Sequence, residues 1–169
     1  MTIIGIDPGP KKSAVVKYDP ASAKIVAADY GKNVDMVHAL ESAGVDDHAT
    51  TIAIEVPQSY GQVVGRSVLD TVYAIGYMVS EIHWGWPNVE VYGIARPTIK
   101  SHILGQSKGT DADVSKALRN MIDDVSMVHN VTDGGHKRVA LAVAVAVAHG
   151  PVEEWKQAKP KPKLWRLAV

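Results

Sequence analysis

The chain contains no cysteine, which removes disulfides and every thiolate metal site from consideration. Any metal must rest on Asp, Glu and His side chains. No apolar run reaches the ~18 residues that suggest a membrane-spanning helix. The apolar opening is short and runs straight into Asp7, so no secretory leader is read there. Charge of one sign is missing too, since 18 basic and 18 acidic residues cancel. A protein that coats nucleic acid is usually strongly basic, and this balance argues against that class. No internal repeat is found.

What is present is a globular composition, 46% hydrophobic and 21% charged over 169 residues. That is enough chain for one domain with its own core. Basic charge is unevenly placed: after Glu154 come Lys156, Lys159, Lys161, Lys163 and Arg166 with no acid among them. Residues 1–150 are therefore read as the folded domain and 151–169 as a basic tail spaced by prolines.

Along the chain, residues 2–7 are short and β-branched, as in a central strand. Residues 13–19 and 24–30 read as two further strands of an antiparallel meander, joined by the turn signal DPASA. A modest helix is expected over 34–43, and "TTIAIEVP" (50–57) as a fourth strand. Helical spacing of Val68, Leu69, Val72, Ile75, Val79 and Ile82 predicts a long helix over 64–83. Its surplus of apolar residues, including Tyr73, Tyr77 and Met78, suggests a seam with a second copy. A fifth strand (88–96), a short helix (97–104) and a basic loop (105–110) follow. Thr110 and Asp113 match a capping box for a helix over 111–124. The final segment, 135–148, alternates like a strand, but its alanine content favours a buried helix. This order is that of an α/β domain with a mixed sheet.

Asp7 and Glu55 each stand at the end of a different strand. If the two strands run side by side and parallel, both acids emerge at the carboxyl edge, where open α/β sheets place their sites. Two hard oxygen donors together suit Mg²⁺ or Mn²⁺ better than zinc. The last helix opens with Asp133, Gly134, Gly135 and His136, and its first turn is a candidate to face the same spot.

"IGIDPG", "AIEVP", the polar start of the last helix and "ARPTIKSHILGQSKGTDADVSKALRNMI" (95–122) together resemble the RuvC-type Holliday junction resolvases, over roughly residues 2–149. The likeness is to divergent phage-encoded members. It implies an RNase H-like fold, a five-stranded mixed β-sheet flanked by α-helices. It also implies four catalytic, metal-facing residues. By position these are Asp7, Glu55 and His136, with Val139 standing where the family has an Asp. Asp133, three residues before His136, is the candidate to supply that carboxylate.

The resemblance further implies two Mg²⁺ ions per site, with Mn²⁺ as a substitute and no small-molecule cofactor. The expected activity is hydrolysis of branched DNA, four-way junctions above all, by paired symmetric nicks from a homodimer. The expected location is the cytoplasm of a bacterial cell or phage-infected host, with no membrane association. Lys100 and Lys108 fall where the family contacts DNA, and Lys11 and Lys12 would flank the scissile phosphate. Tyr60 and Arg66, in the polar stretch after Glu55, match a region that probes the junction centre.

Plainer readings stand beside these. Asp7 can open a turn, Asp133 can cap a helix, and Asp111 and Asp113 can complement a helix dipole. Asp70 reads as part of a solvated face, and the other six histidines as structural or surface residues. An actin-like or sugar-kinase-like ATPase opens similarly but needs a second lobe for which 169 residues leave no room. An RNA-processing nuclease of the same fold, and a junction-binding protein that has lost catalysis through Val139, remain as rivals.

Overall fold

The computed structural model describes residues 1–58, 63–129 and 133–150, together with the backbone of Trp165–Arg166. Tyr60 and all but two residues of the basic tail lie outside these. The strands are β1 (Thr2–Asp7), β2 (Lys12–Asp19), β3 (Lys24–Lys32), β4 (Thr50–Val56) and β5 (Glu90–Ala95). The helices are α1 (Met36–Ser42), α2 (Arg66–Gly85), α3 (Arg96–Leu104), α4 (Asp111–Met121) and α5 (His136–His149). The sheet runs β3-β2-β1-β4-β5, antiparallel through β1–β3 and parallel across β1, β4 and β5. It is the expected five-stranded mixed sheet. Trp165–Arg166, in the segment read as a basic tail, adds a two-residue antiparallel edge, β6, against Tyr92 and Gly93.

Side-chain alternation sorts the core into two layers. Ile4, Ile6, Ile52 and Ile54 face α1 and α2, with Leu40, Met78 and Ile82 packed among them. Ile3, Ala14, Val16 and Ala53 face α5. Every residue from Ala140 to Ala146 is buried, so the strand-like alternation of this segment belongs to a helix enclosed on all sides. The alanines allow α5 to lie close upon β1 and β2, with α3 and α4 over its outer side.

Helix α2 departs from its pattern. Ala74, Ile75, Met78, Val79 and Ile82 are buried, whereas Leu69, Val72, Tyr73 and Tyr77 are exposed. Met78 thus belongs to the core rather than to a surplus surface. The apolar spacing is right for a helix, but burial begins only at Ala74, and Tyr77 beyond it stays exposed. Among the described residues no helix is long and apolar enough to cross a membrane.

Candidate active site

The parallel register pairs Gly5 with Ala53 and Ile6 with Ile54, so one further step sets Asp7 beside Glu55. Both lie on the face toward α5, because Gly5 and Ala53, two residues earlier, share that face. Each side chain is nearly buried, at 12% and 13% exposure. Gly5 is the reason α5 reaches this edge. A β carbon there would lie 2.0 Å from the Ala140 carbonyl oxygen and 2.7 Å from the Ala144 nitrogen.

One helical turn before Ala140 stands His136, and its Nδ1 meets Asp7 Oδ2 at 2.7 Å. Asp7 is therefore not simply the acid of a local turn. The turn after it is braced by other groups: Gly9 N–H donates to Ser13 Oγ, Ser13 Oγ donates to Asn33 Oδ1, and Asn33 Nδ2 donates to the Gly9 carbonyl. Across the sheet, Asp7 pairs with Ala14 and Ala14 with Tyr30. The Tyr30 ring stacks on the His136 imidazole at 5.3 Å between centroids, with planes 6° apart. Lys12 Nζ lies 5.6 Å from the centre of the same tyrosine ring.

On the opposite flank, β5 runs directly into α3, which places Arg96 at the same edge. Its Nη1 donates to Glu55 Oε1 at 3.3 Å and its Nη2 to Asp111 Oδ2 at 2.9 Å. Lys100 Nζ donates to the Gly109 carbonyl and lies 3.5 Å from Asp111 Oδ1. The reading of Asp111 as only a complement to the helix dipole is incomplete, since it closes this network of cations. Thr110 and Asp113 form the expected reciprocal cap, which fixes the start of α4 and with it Asp111.

Burial raises the Glu55 carboxyl from 4.5 to about 7; the negative charges of Asp7 and Asp111 push the same way, and Arg96 opposes them. Burial also raises Asp7, against the hydrogen bond and charge of His136. Glu55 Oε2 is buried and has no hydrogen-bond partner among the described residues. An orphaned carboxylate oxygen beside a second hard carboxylate fits one divalent ion, because Mg²⁺ is commonly held by one or two carboxylates plus waters and phosphate oxygens. The wider set of four ligands is not assembled. Among the described residues no group of three or more Asp, Glu or His is placed to hold one ion.

Asp133 does not join Asp7 and Glu55. It is 3% exposed, its Oδ1 accepts the Gly135 N–H, and its Oδ2 lies 3.8 Å from Lys137 Nζ. Nor is it the helix cap, which is Gly135. Two consecutive left-handed glycines, Gly134 (φ 63°) and Gly135 (φ 87°), separate it from the helix and account for both outcomes. Val139 lines the pocket next to Glu55.

The basic candidates divide. Lys11, Lys12 and Lys108 are exposed, and Arg66 lies 4.0 Å from Asp70 on an exposed face of α2. Lys100 is already engaged by Gly109 and Asp111. Of the remaining histidines, His102 donates to the Ala146 carbonyl and His149 meets the Tyr18 hydroxyl, which are structural roles. Sequence reasoning missed Arg96 and Tyr30. Arg96 was within reach of the argument used for the acids, as a charged residue directly after a strand of the same parallel set. Tyr30 carried no such signal, because only strand pairing brings it to His136.

No protein-family model matches the chain, and no curated protein sequence matches it. Solved structures do match in shape. Thermus thermophilus RuvC superimposes with a TM-score of 0.68 at 16% identity, over 96% of this chain and all of that one. T. thermophilus RuvC in complex with Holliday junction substrate gives a TM-score of 0.69 at 16% identity, over 96% and 99% of the two chains. The fold is that of RuvC, as the motifs implied.

Proposed function

We propose that this chain is a divalent-metal-dependent endonuclease acting on branched DNA, with the four-way junction as its main substrate. The observation that carries the reading is the meeting of Asp7, Glu55 and His136 at the carboxyl edge of a RuvC fold. A relative of the same shape has been solved on a Holliday junction. Asp7 and Glu55 would hold the ion, and a Mg²⁺ or Mn²⁺ ion bound there supplies Lewis acidity toward the phosphodiester.

His136 is assigned the proton. An ionised Asp7 accepts Nδ1–H, which fixes the tautomer and leaves Nε2 as the acceptor. Tyr30 stacked on the ring holds its plane. As water attacks, its oxygen bonds to phosphorus and one of its protons passes to His136 Nε2. The bond from phosphorus to the 3′ oxygen breaks, that oxygen takes a proton from solvent, and a 5′ phosphate and a 3′ hydroxyl result. The exposure of Lys11, Lys12 and Lys108 supports reading them as phosphate contacts. Arg66 at the start of α2 follows the stretch that includes Tyr60, and both are kept as candidates for the junction centre.

A homodimer is supported by the exposed row Leu69, Val72, Tyr73 and Tyr77 on α2, which shares one helical face. Symmetric cuts require two such sites. The test is cleavage of an end-labelled four-way junction in Mg²⁺, Mn²⁺ and EDTA, with linear duplex and structured RNA as controls. Paired, symmetric, metal-dependent cuts that disappear in Asp7→Asn are expected. Val139 in the pocket wall supports a second reading, a junction binder without catalysis. Tight junction binding with no cuts in either metal would establish that reading instead.

A further inference from the structure

The pocket beside Glu55 carries positive charge where a second metal ion would need donors. It has a volume of about 100 Å³, and Arg96, Lys100 and Arg138 line it together with Glu55, Asp111 and Val139. One guanidinium, that of Arg96, bridges the two carboxylates. Val139 lies three residues beyond His136 on α5 and offers no donor atom. Asp133, the nearest acid in sequence, is buried in its own turn.

Resting on the reading proposed above, we infer that this site takes one divalent ion, at Asp7 and Glu55, and that Arg96 supplies the positive charge a second ion would provide. Electrostatics favours it. Glu55 and Asp111 are already neutralised in part by a guanidinium set on the first turn of a helix, directly after a core strand. A second dication would have to displace that guanidinium while Lys100 and Arg138 line the same pocket. Geometry favours it as well. A guanidinium presents a planar fork of donors that matches phosphate oxygens, so Arg96 can exchange a carboxylate for a phosphate when DNA enters. At 43% exposure its side chain is open on one side for that exchange. Arg96 remains protonated throughout, donating hydrogen bonds to the charge that builds as the bond from phosphorus to the 3′ oxygen breaks. Arg96 would then be a catalytic residue that replaces a metal, and Val139 would be its counterpart rather than a defect.

The experiment is a titration of the metal-stripped full chain with Mn²⁺ at pH 8, counting bound ions by calorimetry and by loss of the free-ion electron paramagnetic resonance signal. One ion per chain is expected. Two ions in the wild-type chain would overturn the inference and leave the metal-dependent reading intact, whereas no bound ion would overturn both. Arg96→Gln is expected to keep its single Mn²⁺ and to lose roughly 10²–10³-fold in cleavage rate, the range for removing one preorganised donor. Arg96→Lys should recover part of that loss. The double variant Arg96→Gln with Val139→Asp should bind two ions, with cleavage turning from first to second order in Mn²⁺. Unchanged cleavage by Arg96→Gln beside an active wild type would sink the role given to Arg96.

Discussion

Gly5 and Ala140 approach more closely than any side chain on β1 would permit: a β carbon on Gly5 would stand 2.0 Å from the Ala140 carbonyl oxygen. This contact seats α5 on the central strand, and His136 reaches Asp7 only because of it. Gly5→Ala forces helix and strand apart, since both facing atoms are backbone and neither can swing away. We expect a loss of at least about 3 kcal/mol in unfolding free energy, the upper range for overpacking. Urea denaturation checks the loss. In any folded fraction, cleavage should fall further than stability explains, because the His136–Asp7 contact is displaced.

His136→Gln tests the proton role separately from the fold. The side chain is about half exposed and its removal opens no cavity in the core. Cleavage should fall by ~10²–10⁴, the usual contribution of a positioned base. Junction affinity measured in Ca²⁺ should stay within about threefold. Added imidazole should restore part of the activity of His136→Gly. A His136→Gln chain that cuts at the wild-type rate would remove the imidazole from the mechanism.

The raised Glu55 carboxyl makes a pH prediction of definite sign. Its folded value of about 7 lies above its ordinary 4.5, so the folded state binds the extra proton. Metal-free stability is therefore fully present below pH 4.5 and is lost as the pH rises through about 7. The full swing is roughly 3 kcal/mol on the linkage scale. Asp7, also raised by burial, adds in the same direction. Thermal melts of the EDTA-treated chain should fall from pH 5 to pH 8, and Glu55→Gln should flatten that slope. Mg²⁺ should restore more stability at pH 8 than at pH 5, because at the lower pH it must displace a proton from Glu55.

Thr110 holds α4 through a reciprocal cap with Asp113, and the next residue is Asp111. Thr110→Ala should cost ~1 kcal/mol, as for other lost caps. It should also loosen the Arg96–Asp111 pair. Chemical denaturation gives the first quantity. A rise in amide hydrogen exchange confined to the first turn of α4 would show the second, and unchanged exchange there would refute the coupling.

Much of this protein is legible in its sequence. Short β-branched runs, the DPASA turn and the spacing of Ile75, Val79 and Ile82 report local geometry, and each became the expected element. The carboxylates of Asp7 and Glu55 were legible because each stands at the end of an apolar strand and parallel pairing puts strand ends together. Asp133 misled. Sequence spacing puts it three residues before His136, but two left-handed glycines lie between them, and its Oδ1 accepts the Gly135 N–H while its Oδ2 stays buried without a hydrogen bond among the described residues. Leu69 and Val72 lie in the helix their spacing predicted but stay exposed, since a helical repeat says which residues share a face and not what covers it.

The sequence by itself determined the elements, the mixed sheet and the edge at which the two acids emerge. These follow from backbone preferences and side-chain periodicity, which act over a few residues. Only the tertiary structure decided that His136 meets Asp7, that Tyr30 stacks upon the imidazole, and that Arg96 sits between Glu55 and Asp111. Those contacts join residues from 15 to 129 positions apart. They depend on how closely α5 packs against Gly5 and on where α3 leaves the sheet, and packing distances of that kind are set by the assembled core rather than by any local run of residues.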